Sequence, residues 1–117
     1  MFTKKLVAPK RELLLTPFKH ADGDPMEIYL INTDDKRFIL SDCGMTLMRL
    51  SYSTNITKGV IEDIFNIVNG YRLDFSREMG TITSEVNLEN IDSYLYTFAM
   101  TVARVMALAD TMEKKGY

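Results

Sequence analysis

Carboxylates are the side chains of this sequence best placed for chemistry. Asp22, Asp24, Glu27, Asp34, Asp35 and Asp42 gather between positions 22 and 42. Paired carboxylates on adjoining strands can hold a divalent cation and activate water against a phosphodiester. If a two-residue loop joins the strands, Glu27 stands opposite Asp42. Such a like-charge pair is destabilising without a cation or a raised pKa. Asp24, Glu27 and Asp42 are therefore the candidate metal ligands of a nuclease or nuclease-accessory domain. The competing account needs no chemistry: Asp22, Asp24, Asp34 and Asp35 are turn residues, and Asp42 caps a helix. That account is preferred, with no catalytic residue, metal or cofactor assigned.

The remaining chemistry is sparse. His20 is the only histidine and Cys43 the only cysteine, so a histidine metal site, an internal disulfide and every multi-cysteine cluster are excluded. A catalytic triad would have to recruit His20 beside Cys43 or a serine. His20 reads instead as a solvated loop residue and Cys43 as a small, partly buried one. No glycine-rich phosphate loop or dinucleotide fingerprint is present. The single cysteine fits a reducing cytoplasm, and no run approaches the roughly 18 apolar residues that cross a bilayer.

The chain has 117 residues, 46% hydrophobic and 26% charged, with 14 Lys and Arg against 16 Asp and Glu. That length suits one domain, 1–117, since single cores run to roughly 100–200 residues. A near-neutral balance argues against a generic nucleic-acid binder. The only nucleic-acid candidates are Lys4, Lys5 and Lys10, within a lead-in, Met1 to Lys10, read as partly mobile, and the adjacent Arg11.

Elements that could position these residues follow from periodicity. Glu12 to Phe18 reads as a short strand in which Pro17 marks an edge or an end. Met26 to Asn32 and Lys36 to Ser41 form a hairpin around Thr33, Asp34 and Asp35. Both of its faces are apolar: Tyr29 and Ile31 oppose Ile28 and Leu30, while Phe38 and Leu40 oppose Ile39. Helices, sheet curling or a second protein must therefore cover both sides. Met45 to Leu50 starts a short helix capped by Asp42. Thr57 or a near neighbour caps a second helix that stops at Gly70. Tyr71 to Phe75 and Thr81 to Val86 make another hairpin, within 71–86. Leu88, Ile91, Leu95, Phe98, Val102, Val105, Ala109 and Met112 mark a helix of about seven turns. Its stripe is also a heptad, but Tyr94, Met106 and Leu108 widen it toward packing on a sheet.

Thr16-Pro17-Phe18, then Asp24 with Ile28-Tyr29, then Leu40-Ser41-Asp42-Cys43-Gly44-Met45-Thr46 with Leu50, resemble a prokaryotic family called domain of unknown function 1828. The resemblance extends from about Glu12 to Ala109 and implies a small α+β domain from bacteria and their mobile elements. It supplies no catalytic residue. The fold expected is α+β: an antiparallel sheet of about five strands packed against a long C-terminal helix and two shorter ones. The function expected is non-enzymatic binding of a host protein by a phage or mobile-element product, with inhibition of a bacterial defence system such as CRISPR as one form. Partner-contact candidates are Tyr29, Ile31, Phe38, Leu40, Asp42, Phe98 and Met106. A homodimer is expected if a sheet face or the heptad stripe stays uncovered.

Overall fold

The structure, a computed structural model, describes residues 3–33 and 37–110. Its strands are β1 (Thr3–Ala8), β2 (Arg11–Leu15), β3 (Ile28–Asn32), β4 (Phe38–Ser41), β5 (Asp74–Ser76) and β6 (Thr81–Val86). The helices are α1 (Met45–Ser51), α2 (Lys58–Gly70) and α3 (Ile91–Met106), the last entered through a 3-10 turn at Leu88–Asn90. One sheet of six strands runs β1-β2-β3-β4-β6-β5. Every neighbouring pair is antiparallel.

The sixth strand is β1, taken from the sequence as a lead-in without an element. Thr3 pairs with Leu15 and Lys5 with Leu13, and Lys10 takes a left-handed φ of 63° at the connection to β2. Lysines at Lys4 and Lys5 mask the strand's pattern, a composition common on exposed sheet edges.

The hairpin closes on a longer loop than expected. Leu30 pairs with Leu40 and Asn32 with Phe38, and the Thr33 N–H donates to the Arg37 carbonyl at 2.9 Å. Alternation still sorts its side chains. Ile28, Leu30 and Leu40 are buried toward the helices, together with Leu14 and Ile82 from neighbouring strands.

The helices start largely as their sequences dictate. Thr57 accepts from the Val60 N–H at 3.2 Å, as an N-cap should. Gly70 is the last residue of α2 rather than its left-handed stop; Arg72, at φ 63°, makes the reversal. Asn87 caps the 3-10 turn by accepting from the Glu89 N–H at 3.0 Å. α3 spans 16 residues, shorter than the apolar stripe, because the turn at 88–90 precedes it and Ala107 leaves its regular pattern. Met112 lies outside the described residues. Leu95, Phe98 and Val105 of α3 are fully buried in one cluster with Leu50, Ile64 and Val68. The stripe is thus spent on the core between α1, α2 and β6, each such side chain contributing roughly 1.5–3 kcal/mol.

Candidate functional site

Ser41 to Thr46 form a tight corner where β4 turns into α1. Cys43 and Gly44 both take left-handed φ angles, 51° and 80°. Asp42 holds the corner from within and is only 1% exposed. Its Oδ1 accepts from the N–H groups of Gly44 and Ile82, both at 2.9 Å, and its Oδ2 accepts from the Thr46 N–H at 3.3 Å. The Asp42 N–H donates to the Ile82 carbonyl at 3.1 Å, and Ser41 Oγ accepts from the Cys43 N–H at 3.0 Å. One carboxylate thus ties the end of β4, the start of α1 and the beginning of β6 together. It serves the helix as foreseen, although Gly44 occupies the N-cap position.

This arrangement bears on the candidate metal ligands. The Glu27–Asp42 cross-strand pair does not form, because Tyr29 pairs with Ser41 and the hairpin loop is longer than two residues. Asp24 belongs elsewhere: its Oδ2 accepts from Arg49 at 3.3 Å, while Asp22 Oδ2 accepts from the same guanidinium at 2.6 Å. Asp22 also accepts from the Asp24 N–H at 3.0 Å, the turn geometry its sequence suggests. That backbone hydrogen bond and the nearby Arg49 lower the Asp22 pKa. Asp34 and Asp35 lie outside the described residues. Among the described residues, no group of three or more His, Cys, Asp and Glu side chains is disposed to hold a metal ion.

Arg49, which sequence reasoning did not single out, organises the main concavity. Two adjoining cavities of about 220 and 590 Å³ share His20, Asp24, Met26 and Arg49 in their walls. They lie between the 19–27 connection, α1 and the C-terminal end of α3. His20 is half-buried there rather than fully solvated. Burial, then the Arg49 charge, lowers its pKa from the usual 6.5. The Arg49 pKa is raised: burial would lower it, but the hydrogen bonds and charges of Asp24 and Asp22 outweigh that. The Arg49 Nε is buried and has no hydrogen-bond partner.

The partner candidates separate by face. Leu40, Asp42 and Phe98 are buried at 0–1% exposure, so no partner reaches them in this fold. Phe38 and Met106 pack against the core cluster from its margin, and Met106 also lines the larger cavity. Tyr29 and Ile31 alternate onto the opposite face of the sheet. There they stand with Leu13 and Ile39, all partly exposed, and with Leu15, which is 51% exposed. None of these five belongs to the core cluster or to the residues packed on it. The Arg11 guanidinium lies 5.8 Å from the centre of the Tyr29 ring at the edge of this patch. Burial, then Glu27, raises the Tyr29 phenol pKa.

Lys4 pairs with Glu12 at 3.9 Å, Arg11 flanks the Tyr29 face, and Lys10 sits in the β1–β2 connection; the Lys5 side chain is not among those described. No helix among the described residues is long and apolar enough to cross a membrane.

Fold and corner together define an α+β domain in which Leu40 to Thr46 form a structural joint. Residues 16–105 match the family model described as Domain of unknown function DUF1828, and the chain belongs to that family. No curated protein and no solved structure matches it.

Proposed function

We propose that this chain is a non-catalytic protein-binding domain of a phage or other mobile element, docking a host protein through the outer face of its sheet. The observation that carries the reading is the uncovered patch of Leu13, Leu15, Tyr29, Ile31 and Ile39, which no part of the core packs against. Contiguous apolar surface on one sheet face favours association, and an aromatic flanked by arginine is the composition of an interface anchor. Interference with a bacterial defence system is the form we favour for a small mobile-element product. The Asp24, Glu27 and Asp42 nuclease reading has less support, since Asp42 spends both oxygens on backbone N–H groups and Asp24 spends one on Arg49.

A photo-crosslinking amino acid placed at position 29 or 39, in bacteria expressing the chain, tests the reading. The same host protein should be captured from both positions, not from position 79 on the β5–β6 turn, and capture should disappear with Ile31→Lys. Crosslinks only to further copies of the chain would replace a host partner by a homodimer. Equal capture from all three positions would refute the face assignment.

A further inference from the structure

The sheet ends on β1 and β5. β5 is three residues long and packs beside α2, whereas β1 runs for six and, among the described residues, pairs on one side only, with β2. An antiparallel strand gives the N–H and C=O groups of alternate residues to each neighbour, so half of those in β1 are turned outward, where a further strand would meet them. No proline interrupts β1. Thr3 to Leu6 keep unbroken register with β2, and the one irregularity falls between Leu6 and Ala8.

The residues along this edge narrow what such a strand would carry. Lys4 stands opposite Leu14 and Leu6 opposite Glu12, which places both on the helix side of the sheet with the buried Leu14. The helices pack over β5 and β6, at the far end, and Leu6 is 70% exposed. Lys4 reaches Glu12 only at 3.9 Å, with half of its side chain in solvent. The hairpin of β1 and β2, residues 3–15, holds Lys4, Lys5, Lys10 and Arg11 against Glu12 alone, in a chain with two negative charges in excess. Edge-to-edge pairing with a second copy would lay two such basic hairpins side by side and repel; a strand bearing carboxylates is attracted. We propose that the outer edge of β1 takes up an extended, acidic segment of a partner protein as an antiparallel seventh strand, with an aliphatic residue opposite Leu6 and, two residues further on, a carboxylate opposite Lys4. Main-chain hydrogen bonds supply the affinity and this spacing the selectivity. The edge stands apart from the outer patch, and the two readings fail separately.

The test is fluorescence anisotropy with the full chain and labelled, end-blocked hexapeptides. Thr-Val-Ile-Glu-Glu-Thr, whose isoleucine and second glutamate fall opposite Leu6 and Lys4, should bind, and its counterpart with lysines for glutamates should not. Methylating the peptide's backbone nitrogens one at a time should weaken binding about three- to ten-fold at alternate positions, where the N–H faces β1, and little at those between. Lys4→Ala should weaken it about two- to five-fold, the scale of one surface ion pair, with circular dichroism unchanged. Ile31→Lys, on the other face of the sheet, should leave it intact. Equal binding of both peptides, or no binding of either at millimolar chain, overturns the proposal. So does uniform sensitivity to methylation along the peptide, because an anion site without strand pairing shows no alternation. A dimer in light scattering that Leu6→Lys dissociates would give the edge to a second copy and equally overturn it.

Discussion

Replacing Asp42 by alanine probes the joint that carries the family resemblance. The substitution removes the acceptor of three backbone donors at once: the N–H groups of Gly44, Thr46 and Ile82. A buried donor left unsatisfied costs about 1–3 kcal/mol. The Thr46 and Ile82 bonds are buried, whereas the Gly44 bond is only partly so and water can replace it more cheaply. Removing a buried charge returns some desolvation energy. The net loss is then about 3–5 kcal/mol, out of the 5–15 kcal/mol typical of a domain. Asp42→Asn keeps one oxygen for Gly44 and Ile82 but turns an NH₂ toward the Thr46 N–H, so it should lose about 1–2 kcal/mol.

Urea unfolding followed by circular dichroism measures both. At a slope of about 1.5–2 kcal/mol per M, Asp42→Ala should lower the midpoint by roughly 2 M, with Asp42→Asn between it and the parent. A loss under about 1 kcal/mol for Asp42→Ala would refute the structural assignment. The same samples separate the joint from a metal site. A joint makes these losses independent of Mg²⁺ or Mn²⁺, whereas a ligand role would have the cation stabilise the parent and not the asparagine variant.

Other consequences are as direct. At Gly80, φ is +68° and an added Cβ would lie 2.7 Å from Leu47 Cδ2, whereas at Gly44, φ +80°, the nearest atoms are 3.9 Å away. Gly80→Ala should therefore cost about 1 kcal/mol more than Gly44→Ala in urea unfolding, strain plus contact against strain alone; equal losses would mean Leu47 moves aside freely. For His20, the folded pKa lies below the unfolded 6.5, so its contribution is complete above that value and is lost as pH falls below it toward the folded pKa. Between pH 7.5 and 5.5 the parent should lose more stability than His20→Gln, and parallel curves would exclude His20 as the responsible group. Arg77 donates from Nε to Glu62 Oε1 at 2.9 Å and from Nη2 to Oε2 at 3.2 Å, with its guanidinium 3.7 Å from the Phe65 ring centre. Arg77→Lys keeps the charge but not the fork or the stacking, so thermal melts should place it near Arg77→Ala, each about 0.5–1 kcal/mol below the parent.

Much of this architecture is written in periodicity. The two-faced hairpin, the Thr57 cap and the apolar stripe of α3 follow from spacings of two and of three to four residues. What periodicity could not specify was which face of the hairpin receives the helices. Leu40 and Tyr29 therefore looked alike as partner candidates, although one is fully buried and the other is not. β1 was hidden because edge strands carry lysines that weaken the apolar signal. Loop length set the hairpin register, and the Thr33–Arg37 closure leaves no periodic trace, so Glu27 was aligned one residue away from its true position. Arg49 was invisible for a different reason: its partners Asp22 and Asp24 lie 27 and 25 residues away, joined only by the packing of the 19–27 connection against α1.

The corner from Leu40 to Thr46 and the outer sheet patch are therefore different sets, although Tyr29 belongs both to the patch and to the residues that carry the resemblance. Asp42 and Gly44 secure a corner whose donors and acceptors are turned inward, so matching them conveys a fold and no partner. The outer sheet patch draws Tyr29, Ile31 and Ile39 from the matched stretch, which begins at residue 16, and Leu13 and Leu15 from the strand before it. A protein that engages all five reads more of this chain than the family model does. If the patch is the docking face, Leu13→Lys should weaken binding as much as Ile31→Lys while leaving the Asp42 joint, and with it the urea midpoint, nearly unchanged.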